Sequence, residues 1–145
     1  MQEGEHISMH IEPTTASRMI FLRLDPGEDV LDSIRAAVSE QGIRNAVFVS
    51  GVGSLASYHV HVVKTTNLPP GNVFFREDGP YDILTVTGLV LDGEVHAHIT
   101  FSNPDRALGG HMEQGCRVLT FAVVAMMITD DADFSGWDTV GPLPG

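Results

Sequence analysis

Only one segment of this chain repeats its apolar residues at helical spacing; the rest alternates or runs in short apolar stretches, broken by glycine, proline, asparagine and aspartate. Met19-Ile20-Phe21-Leu22-Arg23-Leu24 reads as a strand stopped by Asp25-Pro26-Gly27. Over residues 28–41, Val30, Leu31, Ile34, Ala37 and Val38 fall on one helical face, acidic residues crowd the first turn, and Gly42 closes the pattern. Strand character then recurs at 46–49, 55–64, 73–76, 81–91, 94–102 and 117–129. Breaks are expected at Gly51-Val52-Gly53-Ser54, at 67–71, at Asp78-Gly79-Pro80 and at Asp92-Gly93, the last a two-residue hairpin signal joining 81–91 to 94–102.

The expected class is α+β: a mostly antiparallel sheet of about six to seven strands packed with one main helix. Residues 118–128 are apolar at odd and even positions alike, which implies burial on both faces. One helix covers one face. Subunit association or sheet-on-sheet packing must cover the other. The organisation expected is a flexible leader (1–17), a single domain (18–130) and an acidic tail rich in glycine and proline (131–145), which either docks through Phe134 and Trp137 or stays loose. Residues 103–115 form the longest internal loop that carries chemistry.

Charge narrows the partners. Nineteen acidic against eight basic residues give a formal net charge of -11, and the single lysine, Lys64, and the seven arginines are scattered, so direct nucleic-acid binding is disfavoured. Cys116 is the one cysteine, which excludes an internal disulfide and reads as a small buried hydrophobe. With no signal sequence and no apolar run long enough to cross a bilayer, the expected location is the cytoplasm.

The candidate chemistry is histidine. On a strand, His96 and His98 project from one face, their roots roughly 7 Å apart, while Val95, Ala97, Ile99 and Phe101 project from the other. His111 follows Gly109-Gly110, read as a loop whose glycines free the backbone to deliver a third imidazole. Three neutral imidazoles with an open fourth position are the ligand set of catalytic zinc sites. A polar strand face and an ordinary turn are the simpler explanations of the same residues. Glu113 and Glu94, each two residues from one of these histidines, are candidates to orient an imidazole or act as general base. Arg106, Arg117 and Arg23 are candidate anion clamps, with ion pairing as their plainer role. His59 and His61 share a strand face, which lines solvent or a subunit contact, extends the site, or forms a second one; His6 and His10, in the leader, receive no role.

Four blocks resemble the plants-and-prokaryotes conserved domain, known as the PPC or PCC domain: residues 21–30 (Phe21-Leu22-Arg23-Leu24-Asp25-Pro26-Gly27-Glu28-Asp29-Val30), Gly51-Val52-Gly53-Ser54-Leu55, Leu84-Thr85-Val86-Thr87-Gly88, and His96-Ala97-His98 with Gly109-Gly110-His111. They occur in the family's order, and the resemblance runs from about residue 18 to 129. It implies an antiparallel sheet flanked by a helix, a homotrimer, and a histidine-bound metal, usually zinc, on His96, His98 and His111. Asp82 stands where the family usually carries glutamate. Plant members bind DNA through separate basic hooks with an Arg-Gly-Arg-Pro core, a sequence that does not occur here.

The functional expectation is a homotrimeric PPC-domain protein whose three-histidine zinc site takes a small anionic metabolite. The alternatives are a metal-dependent hydrolase or lyase acting on a small carboxylate, and a DNA-associated regulator.

Overall fold

The structure is a computed structural model that describes residues 9–129 and 131–143. In chain order it comprises β1 (Arg18–Leu24), α1 (Val30–Glu40), β2 (Ala46–Val63), β3 (Asn72–Leu91), β4 (Glu94–Ser102), β5 (Ala107–Met112) and β6 (Arg117–Ile128). One antiparallel six-stranded sheet runs β1-β6-β2-β3-β4-β5 and closes on itself where β5 also pairs with β2. His6 lies outside the described residues, as do the rest of residues 1–8.

The helix forms where the apolar periodicity places it. Asp29 caps its start, accepting the Asp32 amide at 3.0 Å, and its other carboxylate oxygen takes the Gly115 amide at 2.7 Å, tying the cap to the turn before β6. Val30, Leu31, Ile34 and Val38 are buried against the sheet, sharing a core with Leu24, Val118, Val124 and Met126. The hairpin also forms as expected: Asp92 and Gly93 both take positive φ, 53° and 83°, between β3 and β4.

Two expected breaks are not breaks. Gly51 and Gly53 lie inside the 18-residue β2, and Gly79 lies inside the 20-residue β3. The glycines serve backbone approach and irregular register instead of turns. A side chain at Gly51 would reach within 2.5 Å of Val86, and Gly53, at φ 138°, sits beside a register shift against β6. These long, bent strands let β2 pair with β6 and β3 at one end and with β3 and β5 at the other.

The two sheet faces differ. Inward-facing Tyr58, Val60, Ile99, Phe101 and Met112 are all buried. On the outer face β6 leaves Leu119 and Phe121 exposed, so the both-sides burial expected of residues 118–128 is incomplete within one chain. Phe21 (68 % exposed) and Val52 (49 %) are exposed as well. The register traces one row, Met19–Met127–Val47–Leu89–His96, across β1, β6, β2, β3 and β4, so this apolar face runs directly into the histidines.

The stretch before β1 runs beside the segment after β6. Ser17 donates its amide to Ile128 O at 2.9 Å, Thr14 and Thr15 bond the Asp131 carboxylate, and Glu12 accepts the Asp133 amide. Among the described residues no helix is long and apolar enough to cross a membrane.

Candidate metal centre

The site is built by strand register. Opposite His98 on β4 stands His111 on β5, and opposite His111 stands His61 on β2. His96, two residues before His98, lies on the same face. Four imidazoles therefore gather at one end of the outer face: ring centroids are 4.3 Å apart for His61–His111, 4.7 Å for His96–His111, 5.3 Å for His96–His98 and 5.6 Å for His98–His111.

Gly109 and Gly110 make this convergence possible, but not as a loop. Both lie in β5, and neither has positive φ. Their contribution is close approach: a Cβ on Gly109 would stand 2.5 Å from Ile99 O, and one on Gly110 2.7 Å from His61 O. Any side chain there would push β5 off β4 or β2 and separate the rings.

Two carboxylates reach the cluster. Glu113 Oε1 lies 2.6 Å from His61 Nδ1 and 3.9 Å from His111 Nδ1, and Asp138 Oδ1 lies 2.8 Å from His96 Nδ1. An ionised carboxylate only accepts, so His61 and His96 each donate through Nδ1, and Nε2 is the nitrogen left for a cation. Among the described residues, the buried His111 Nδ1 has no hydrogen-bond partner. Such an atom costs free energy unless something fills its valence, and a cation suits a nitrogen lone pair. One donor atom from each of His61, His111 and Glu113 already falls within 4.8 Å of the others, a spread that a divalent ion can span. The histidines line a cleft of about 720 Å³ with Val62, Pro69, Asp138 and Val140, among others; among the described residues no lysine or arginine belongs to its lining.

The other sequence candidates stand elsewhere. Glu94 borders a shallow depression with Arg35, Ser39 and Gly42 at the end of α1. Arg106 donates to the hydroxyls of Tyr81 (3.1 Å) and Tyr58 (3.0 Å) and pairs with Glu77. Arg117 donates to Gly27 O at 3.2 Å, and Arg23 pairs with Asp25 and lies over the Phe121 ring. His59 turns to Gln114 O, donating at 2.7 Å, and packs beside Phe74. Cys116 is fully buried, and burial pushes its thiol up to about 11, so it carries almost no thiolate at neutral pH.

The sequence brought His96, His98, His111 and Glu113 to one place. It left His61 undecided, because the β2–β5 pairing joins residues 50 positions apart and follows from sheet closure. Asp138 had no signal at all.

Two of the imidazoles, His98 and His111, are biased toward the neutral form that binds metals. His98 lies below its ordinary value, first because desolvation disfavours the cation and then because His96 and His61 are near; His111 lies below it for the same reasons, with only Glu113 opposing. The consequence for stability has a definite sign. Above about pH 6.5 both rings are neutral folded or unfolded and the stability is fully present. As pH falls below that value the unfolded chain takes up protons that the folded cluster resists, and stability drops until the folded values are passed. Asp131 and Asp133, held below the usual carboxylate range by hydrogen bonds from Thr14 and Ser135, act only in more acidic solution. Metal-free protein is therefore expected to unfold at lower urea at about pH 5.5 than at about pH 7.5. Equal or higher midpoints at the lower pH would contradict the arrangement.

The Plants and Prokaryotes Conserved (PCC) domain matches residues 11–129, and the chain belongs to this family. The bifunctional protein GlmU of Synechococcus sp. (strain JA-3-3Ab) is 27 % identical over 124 residues, covering 85 % of this chain; the chain spans only 19 % of that relative's length. A metal-containing protein of Archaeoglobus fulgidus superposes with a TM-score of 0.75 at 20 % identity, over 87 % of this chain and 89 % of the other. A putative DNA-binding protein of Bacteroides thetaiotaomicron superposes with a TM-score of 0.66 at 15 % identity, over 86 % and 87 % of the two chains. At these identities the two superpositions speak to the fold.

Proposed function

We propose that this PCC-domain protein holds one zinc ion per chain on His96, His98 and His111, with the fourth position open and the His61–Glu113 pair beside it. The observation that carries this reading is the buried Nδ1 of His111, unpartnered among the described residues, on a ring flanked by those of His61, His96 and His98. Nitrogen donors with a neighbouring carboxylate fit zinc, and the absence of thiolates from the set fits an exchangeable, reactive site over a purely structural one. The metal-containing relative from Archaeoglobus fulgidus is consistent with it.

Zinc bound here would supply Lewis acidity and a more acidic bound water. It would also be the cationic group of the cleft, whose lining has no lysine or arginine, so a small anionic ligand would be recognised through the metal and not through Arg106, Arg117 or Arg23. For a hydrolase or lyase acting on a small carboxylate, Glu113 is the group positioned as general base through its 2.6 Å bond to His61, whereas Glu94 borders the depression beside α1. Three chains would cover the outer apolar row that leads into His96, placing the cleft at a subunit boundary. A net charge of -11 argues against DNA as the partner, whatever the Bacteroides relative binds.

Native mass spectrometry of the dialysed protein reads metal and assembly together. The expected species is three chains with three zinc ions. A metal-free species after purification in zinc-containing buffer would overturn the metal reading, and a zinc-loaded monomer would overturn the trimer alone.

A further inference from the structure

The segment after β6 lies beyond the 11–129 match to the family domain, yet it is seated on the fold and enters the histidine cleft. Ala132 is buried, and Asn45 donates its side-chain amide to Ala132 O at 2.8 Å, while Asn45 itself is fully buried between the ends of β2 and the β3–β4 hairpin, accepting the Asp92 amide at 2.9 Å. Phe134 and Trp137 pack edge to face at 4.8 Å, and the Trp137 amide donates to Phe134 O at 3.1 Å, turning the chain back. That turn delivers Asp138 to His96 across 42 residues of sequence, with Val140 beside it on the cleft wall.

A free imidazole divides between two tautomers and rotates about its side-chain bonds. A carboxylate on Nδ1 removes both freedoms and raises the basicity of the remaining nitrogen. Within the fold His61 already shows this pattern with Glu113, a residue of the family domain. His96 shows it with Asp138, a residue outside that domain. As a mere surface ion pair the second contact would be worth almost nothing, since His96 and Asp138 side chains retain 41 % and 34 % exposure. Its value lies in orientation.

We propose that residues 131–143 form a strap that completes the histidine centre, with Asp138 as the positioning residue that holds His96 in its Nδ1–H tautomer for metal binding. The inference rests on the metal centre proposed above. It makes a segment outside the family domain part of the site, so that relatives lacking such a strap would bind the same metal more weakly.

The test uses the full chain, with zinc as the probe. In zinc-free, 15N-labelled protein at about pH 8.5, long-range proton–nitrogen correlations are expected to show His96 protonated on Nδ1, and to show it shifting to Nε2–H in Asp138→Ala. Competition against a chromophoric chelator is expected to show zinc affinity falling about 10- to 100-fold in Asp138→Ala and recovering in part in Asp138→Glu. A purely structural strap would leave the tautomer unmoved. Affinity within about twofold of the parent, or an unchanged His96 tautomer, overturns the proposal. The two readings fail separately: a parent that binds no zinc removes the metal centre itself, whereas a parent that binds beside an unaffected Asp138→Ala removes only the strap.

Discussion

His111→Phe is expected to abolish the zinc-dependent part of this protein's stability while leaving the metal-free fold as stable as the parent, or more so. His111 occupies the middle of the row His98–His111–His61, and its Nδ1 is buried without a partner. In the metal-free protein that atom is a liability of about 1–3 kcal/mol, which a ring of similar size without polar atoms relieves. In the zinc-loaded protein proposed above it would be a ligand. Because outer partners of ligands already cost about 10- to 100-fold in affinity, loss of a ligand is expected to cost at least about 100-fold. Zinc at about 100 times the parent's Kd should add about 2.7 kcal/mol to the parent and next to nothing to the variant. Thermal melts of both proteins with zinc and with chelator check this. Equal zinc stabilisation in the two would show that His111 is no ligand, and a large loss of metal-free stability would show that the ring is needed for packing alone.

Gly88→Ala carries a large expected loss of stability, about 3 to 5 kcal/mol, with a fall in Tm of about 10 °C or more. Gly88 stands opposite Ala97 in the β3–β4 ladder with φ 121°, a conformation that suits glycine. A Cβ there would meet His96 O at 2.1 Å and Ala97 Cα at 3.0 Å, and neither backbone atom can move without shifting β4. Gly93→Ala is the matched control, because it has positive φ (83°) but nothing within 4 Å, and it should cost only about 1 kcal/mol. The collision in Gly88→Ala is with the strand that presents His96 and His98, so zinc affinity should fall with stability. A melt no lower than that of Gly93→Ala would contradict the close β3–β4 approach.

What the sequence made legible followed from local rules. The helix, the Asp92-Gly93 hairpin and the shared face of His96 and His98 each depend on neighbours within one element, where periodicity and turn chemistry suffice. The remainder depended on pairings between distant segments. Gly51 and Gly53 looked like turn residues because glycine marks turns and tight inter-strand approaches alike, and only the partner strand distinguishes the two; Gly79 stands at a register shift between β2 and β3. Gly109-Gly110 misled in the same way: their small size matters against Ile99 O and His61 O, not for backbone freedom. His61 joined the site through sheet closure, and Asp138 through a segment with no periodicity to read. The arginines illustrate the converse. A guanidinium in an acidic chain has many carboxylates and hydroxyls to serve, and Arg106 and Arg23 found theirs away from the cleft.

The central claim, that the histidines of β2, β4 and β5 form one zinc centre, is tested most directly by X-ray absorption at the zinc edge of the purified protein. The account predicts a first shell of nitrogen and oxygen at about 2.0–2.1 Å, with the outer-shell scattering of at least three imidazoles and no sulfur. A shell of oxygen alone, fewer than three imidazoles, or scattering at the about 2.3 Å of a zinc–sulfur bond would contradict it.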